Sequence, residues 1–196
     1  MRLSRRASSG PRTRSLDILR GIAIALMVLD HVCVVTGEGG IFRLTITRLS
    51  MPLFFLISGH LLSRIDWKRL VIVGIIGACL PYYVTFIEVP NVLFLYALFA
   101  PLIVWQKNKP RGLAVITAFG LGMYANGFGL IIGAYAPFAL LGLMALGRLM
   151  SRDLWIIQRW EGERVSRFVT PFTLLGKYPL SIYVGHLIIL EGLRRM

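Results

Sequence analysis

Apolar blocks recur along this chain at close to the length that spans a bilayer's hydrocarbon core, roughly 20 residues of helix, and no other feature restricts its fold as strongly. They fall at residues 16–36, 44–63, 70–87, 91–106, 112–131, 134–150 and 171–190. Of the 196 residues, 56% are apolar and 16% charged, and the mean hydropathy is +0.71. A soluble core of this size could not hide so much apolar surface. The expected fold is all-α, a polytopic transmembrane helix bundle of about seven spans, with the lipid bilayer as its first partner. The first block is read as a retained span rather than a signal peptide. It runs for 21 residues, contains Asp17, Arg20, Asp30 and His31, and lacks a clear small-residue cleavage site.

A net charge of +13 raises the question of nucleic acid, but the basic residues stand in short clusters between apolar blocks, where membrane topology accounts for them. Nucleic-acid binding is set aside. With the N-terminus inside, seventeen Lys and Arg fall on inner flanks and three on outer flanks, while Arg20 and Arg48 lie within spans. This is a strong positive-inside bias, which predicts a multi-pass protein of the cell membrane with a cytoplasmic N-terminus. Residues 1–15 read as a disordered basic cytoplasmic tail, 16–192 as the membrane domain and 193–196 as a short C-terminal tail. Within the domain, 152–168 mixes aromatic and aliphatic residues with four arginines, the pattern of a helix lying on the inner membrane surface. Cys33 and Cys79 both sit in apolar blocks, which excludes a secreted disulfide framework, and metal-ligand spacing is absent. No metal is expected.

Ionisable side chains inside a span cost at least ~2.5 kcal/mol on insertion scales, so they face the protein interior and have a partner or a task. Arg20 and His31 are 11 residues apart, which at 100° per residue is three turns plus about 20°. They share a helix face, with His31 about 16 Å further along the axis toward the outer side. Asp17 lies about 40° from the direction of His31, whereas Asp30 points about 100° away and is poorly placed to orient that imidazole. Arg48 and His186 reach similar depths in the second and last spans, so three polar groups from three helices could converge. The plainer alternatives are an Arg48–Asp30 pair, an Arg20–Asp17 pair at the inner interface, and His186 bonded to a backbone carbonyl. His60, in Ser58-Gly59-His60, reads more readily as a backbone-bonded or snorkelling histidine than as a ligand group. Cys33 is about 200° from His31, which argues against a Cys-His nucleophile.

Leu16-Asp17-Ile18-Leu19-Arg20-Gly21, continuing through Met27-Val28-Leu29-Asp30-His31, resembles the opening span of the transmembrane acyltransferases. That superfamily includes acyltransferase family 3, the heparan-glucosaminide acetyltransferase-like proteins and the TraX pilin-acetylase family. The spacing of arginine, ten residues and histidine, met by Arg20 and His31, is similar to the signature of acyltransferase family 3. Arg48-Leu49-Ser50-Met51-Pro52-Leu53-Phe54-Phe55 with Ser58-Gly59 is similar to the second span, and its Pro-Leu-Phe core looks most like TraX. The likeness continues through Tyr82-Tyr83 and Asn91-Val92-Leu93-Phe94 to Tyr178-Pro179 and Tyr183-Val184-Gly185-His186-Leu187, covering roughly 16–192 in order.

The resemblance implies an enzyme that moves an acyl group from cytoplasmic acyl-CoA, acetyl-CoA by default, to an amine or hydroxyl at the outer side. The acceptor it implies is a pilin-like polypeptide or a glycan. His31 is the natural base, since neutral imidazole accepts a proton near pH 7. Arg48 and His186 would assist it, with Arg48 stabilising an oxyanion or holding Asp30, and Asp30 counted in the same catalytic group. Arg20, with Asp17 and Ser58, would serve the donor's binding. The competing class is a small nonenzymatic transporter or assembly subunit with an intramembrane His/Asp/Arg path, although no inverted repeat is visible. Oligomeric state is left open, a homo-oligomer being one way for so small a bundle to seal a cavity.

Overall fold

The computed structural model describes residues 14–37, 40, 49–86, 91–125, 137–151 and 170–196. The basic tail up to residue 13, Arg48 and the surface helix expected at 152–168 lie outside the described residues. Those described form eight helices and no strand: α1 Arg14–Thr36, α2 Ser50–Leu61, α3 Trp67–Tyr83, α4 Val92–Gln106, α5 Pro110–Ala125, α6 Pro137–Met150, α7 Thr170–Lys177 and α8 Pro179–Arg194. The all-α expectation holds in that sense.

Helix starts follow local chemistry. The Asp66 carboxylate accepts the Arg69 N–H at 3.3 Å to open α3, and the Asn91 side-chain oxygen accepts the Leu93 N–H at 2.9 Å to open α4. Prolines open α5, α6 and α8, where the missing N–H costs nothing.

The described helices do not by themselves confirm the expectation of about seven spans. One of them, Ser15–Thr36, is long and apolar enough to cross a membrane by itself. Helices α2, α4 and α6 are apolar but have 12, 15 and 14 residues, or roughly 18 to 23 Å of rise against a hydrocarbon core of about 30 Å. The last apolar block is not one continuous helix: it breaks between α7 and α8 with a bend of 92°, and the two helices are long and apolar enough to cross a membrane only when taken together. Pro179 is the cause, because its ring disfavours helical backbone at the preceding residue. Tyr178 accordingly sits at φ −123°, ψ 53°.

Contact between helices is close where glycines face backbone. A Cβ on Gly21 would collide with the Phe172 backbone and one on Gly176 with the Asp17 backbone, so α7 lies directly against the first half of α1. Gly59 and Gly147 play the same part between α2 and α6, against Met144 and Leu56. The core brings together Ile24 of α1, Phe55 of α2, Ile103 of α4, Met144 of α6 and Leu187 of α8, each fully buried. Outward faces remain apolar, with Val71, Ile72 and Ile75 on α3 and Ile188 and Ile189 on α8 all more than half exposed. Water penalises such a surface and lipid does not.

Candidate active site

Two histidines 155 positions apart meet in this bundle. His31 Nδ1 of α1 and His186 Nε2 of α8 are 2.8 Å apart, their rings nearly coplanar at 17° with centroids separated by 5.1 Å. The depth argument from sequence brought these two residues to one level, and α8 packs on α1 so that they touch. The other nitrogen of His186, Nδ1, is 2.9 Å from the Ile182 carbonyl oxygen one turn earlier. His186 is therefore bonded to a carbonyl and also joined to His31.

Partner chemistry fixes the protons. A carbonyl oxygen only accepts, so His186 Nδ1 carries the hydrogen and, in the neutral ring, Nε2 carries a lone pair. His31 Nδ1 must then be the donor across the 2.8 Å contact. In neutral His31 the lone pair falls on Nε2, which makes that nitrogen the basic one. The rings of Phe86 and Tyr183 stand edge-on to His31 at 5.8 and 6.4 Å, and Tyr183 is edge-on to His186 at 5.6 Å. The pair is thus walled by aromatic edges and partly shielded from solvent.

A cavity of about 260 Å³ leads toward this pair from the opposite end of α1. Its mouth carries Arg20, Arg64 and Arg69 together with Asp66. Asp66 caps α3, so the mouth keeps a net positive charge. Ser58 and Tyr96 line the passage, and Met27, Leu93 and Tyr183 are at the far end. Met27 is seven residues beyond Arg20, about 10 Å along the helix.

Of the residues expected to serve the donor, Arg20 and Ser58 line this cavity and Asp17 does not, among the described residues. Asp17 is buried and pairs with Arg20 at 3.5 Å, the plainer alternative read from the sequence, so it bears on the cavity through the arginine. Asp30 is buried within α1. Arg48 lies outside the described residues. His60 is half-buried at the α2–α6 contact, and its buried Nδ1 lacks a hydrogen-bond partner. Cys33 and Cys79 are free thiols.

Sequence reasoning passed over Tyr183, Asn91 and Tyr96 as site residues. Asn91, 2% exposed, donates from Nδ2 to Tyr183 Oη at 3.1 Å while its own oxygen holds the Leu93 N–H. The available signal was a cap residue ahead of an apolar run, which announces the helix start but not the tyrosine.

Residues 13–87 match the family model for an acyltransferase domain. The match takes in α1, α2 and α3, and with them His31, Arg20 and the arginines of the cavity mouth. No curated protein and no solved structure matches.

Proposed function

We propose that this chain is a multi-pass membrane enzyme, N-terminus inside, that takes an acyl group from acyl-CoA at the cytoplasmic face. It passes that group to an amine or hydroxyl presented from the outer side. The observation that carries the reading is the His31–His186 pair lying beyond a cavity whose mouth holds three arginines. The seventeen-to-three distribution of basic residues supports the orientation.

The donor's phosphates meet Arg20, Arg64 and Arg69, since guanidinium forks suit phosphate oxygens. The pantetheine arm follows the passage past Ser58 and Tyr96 and brings the thioester to the end near Tyr183. The acceptor's N–H or O–H approaches His31 Nε2 from the outer side. As its nitrogen or oxygen bonds to the carbonyl carbon, the proton passes to Nε2. The C–S bond then breaks, and the sulfur leaves as a thiolate that takes the proton back from His31, giving free CoA thiol. His186 accepts the His31 Nδ1–H throughout and stabilises the imidazolium while it lasts, the part an orienting acceptor plays beside a general base. Acetyl is the acyl group this reading takes, and both a polypeptide amine and a glycan hydroxyl satisfy its chemistry.

The deciding experiment measures CoA binding and acetyl-CoA hydrolysis by the purified protein without added acceptor, for wild type, His31→Ala and Arg20→Ala. Binding weakened by the Arg20 change and turnover lost with the His31 change is the expected pattern. Folded wild-type protein that does not bind CoA would overturn it.

A further inference from the structure

Helices α3 and α4 form an antiparallel pair whose register is fixed by three contacts. Gly77 lies against the backbone of Leu93 and Phe94, Gly74 lies against Ala97, and Lys107 Nζ donates to the Ser63 carbonyl at 3.4 Å. That register brings Trp67, the first residue of α3, to within about a residue of the level of Trp105 near the end of α4. Both indoles are exposed, by 62% and 67%. At 100° per residue, Trp67, Lys68 and Val71 lie about 20° to 120° around α3 from Gly74, and Phe94, Leu98 and Trp105 lie about 60° to 100° around α4 from Ala97, in the same rotational sense. In an antiparallel pair, equal senses from the line of contact open on one side. The buried Val73 and Ile103 lie on the other. The outward flank is thus an apolar strip of Val71, Phe94 and Leu98, all exposed, with two tryptophans at one end. Cations gather at that same end. Lys68 and Lys109 are exposed, and Lys109 Nζ stands 5.0 Å over the Trp105 ring. The nearby Asp66 carboxylate caps α3 and lines the donor cavity with Arg69, on another face of the helix.

We propose that this end of the α3–α4 flank binds a phospholipid with an anionic headgroup, its acyl chains along Val71, Leu98 and Phe94 and its phosphate met by Lys68 and Lys109. The site rests on the membrane placement proposed above and not on the acyl-transfer chemistry. An indole has an apolar body and one N–H, and it settles where hydrocarbon gives way to headgroups. Two indoles at one level mark that boundary on this flank. Lysine stems lie along apolar surface while the ammonium reaches the phosphate. A zwitterionic headgroup brings a cation of its own, which the lysines repel, whereas phosphatidylglycerol brings the negative charge alone. A free phosphate would gain nothing from the apolar strip.

The chain has four tryptophans, so changing Trp155→Phe and Trp160→Phe leaves Trp67 and Trp105 as the indole reporters of the full chain. The protein is placed in phosphatidylcholine nanodiscs, and fluorescence quenching is compared for phosphatidylglycerol and phosphatidylcholine with brominated chains at equal mole fraction. Each basic group near an anionic lipid surface contributes about fivefold in association. Phosphatidylglycerol should therefore associate about fivefold or more strongly than phosphatidylcholine, and Lys68→Gln with Lys109→Gln should bring the two close to parity. Both lysines are exposed, so the double variant keeps the packed interior. Lys177→Gln, which removes a charge from α7, should leave the preference intact. Glycerol 3-phosphate should not reduce the quenching. Equal quenching by the two lipids, or a preference that survives the loss of both lysines, overturns the site. Displacement by glycerol 3-phosphate assigns the lysines to a free phosphate and overturns the lipid site as well. Indoles that neither lipid quenches overturn it together with the membrane placement, and CoA binding, measured separately, tests the acyltransferase reading by itself.

Discussion

His31 Nδ1 and His186 Nε2 face each other across 2.8 Å while His186 Nδ1 is committed to the Ile182 carbonyl, which makes His31 the proton donor of the pair. The two residues should respond differently to substitution. His31→Ala removes the base, and turnover is expected to fall by ~10²- to 10⁴-fold. His186→Ala leaves the base but removes its acceptor, so turnover should fall less. His186→Gln restores an acceptor oxygen on a flexible stem and should recover part of the loss. Thiol release from acetyl-CoA measures all three, and equal activity in His186→Ala and wild type would show the contact to be idle.

Arg20 works at the other end of the same helix face. It lines the cavity mouth and is held by Asp17 at 3.5 Å, so its guanidinium is placed before any donor arrives. A hydrogen bond to a charged group contributes about 1.5–3 kcal/mol, which corresponds to a CoA dissociation constant raised roughly 10- to 100-fold in Arg20→Ala. Asp17→Asn keeps the arginine but loosens it and should give a smaller rise. Isothermal titration with CoA reads both, and wild-type affinity in Arg20→Ala would remove this residue from the donor site.

How far the chain could be read beforehand depended on whether the deciding partner was local. The shared face of Arg20 and His31 follows from helical periodicity, and the level of His186 follows from counting along its block. The Arg20–Asp17 pair is three residues apart and equally legible. The bend at Tyr178–Pro179 was signalled by the proline, but the hydropathy of 171–190 outweighed it in the reading of one span. Span number was less legible, because an apolar block measures composition, whereas the described helices inside it stop where caps, prolines and loop residues stop them. Asn91 and Tyr183 are 92 positions apart and belong to helices whose adjacency nothing local encodes. Their pairing came from the packing alone.

Backbone contact at the glycines makes a prediction about stability rather than chemistry. Gly21 and Gly176 seat α7 against α1, and any Cβ there meets carbonyl backbone instead of a side chain that could swing aside. Gly21→Val should destabilise by about 1–3 kcal/mol or more, the range for overpacking a close-packed contact. Gly122→Ala is the control, because a Cβ at Gly122 meets nothing within 4 Å. Thermal unfolding in detergent, followed by helical circular dichroism, should show a clear drop for the first and little change for the second. Equal midpoints would mean that α7 does not rest on α1 as described.

The end of α8 beyond the histidines is tied to the turn after α3. Glu191, 7% exposed, accepts the Thr85 N–H at 3.2 Å and the Arg195 Nε–H at 2.7 Å, while Arg195 also donates to the Tyr83 carbonyl at 3.2 Å and Arg194 to Thr85 Oγ1 at 3.0 Å. One carboxylate thus gathers its own helix and a loop more than a hundred positions earlier in the chain, close to the Phe86 ring that walls His31. Glu191→Gln removes the charge that makes these bonds strong and should lower the unfolding midpoint. Arg195→Ala should do the same, and because both act on one network the double variant should lose less than the two losses added together. CoA affinity should stay at the wild-type level in each, since the arginines proposed to meet the donor's phosphates lie at the opposite end of α3 from Tyr83 and Thr85. Additive losses would show that Glu191 and Arg195 act independently, and a CoA affinity that falls with them would place the donor elsewhere than in the arginine-rimmed cavity.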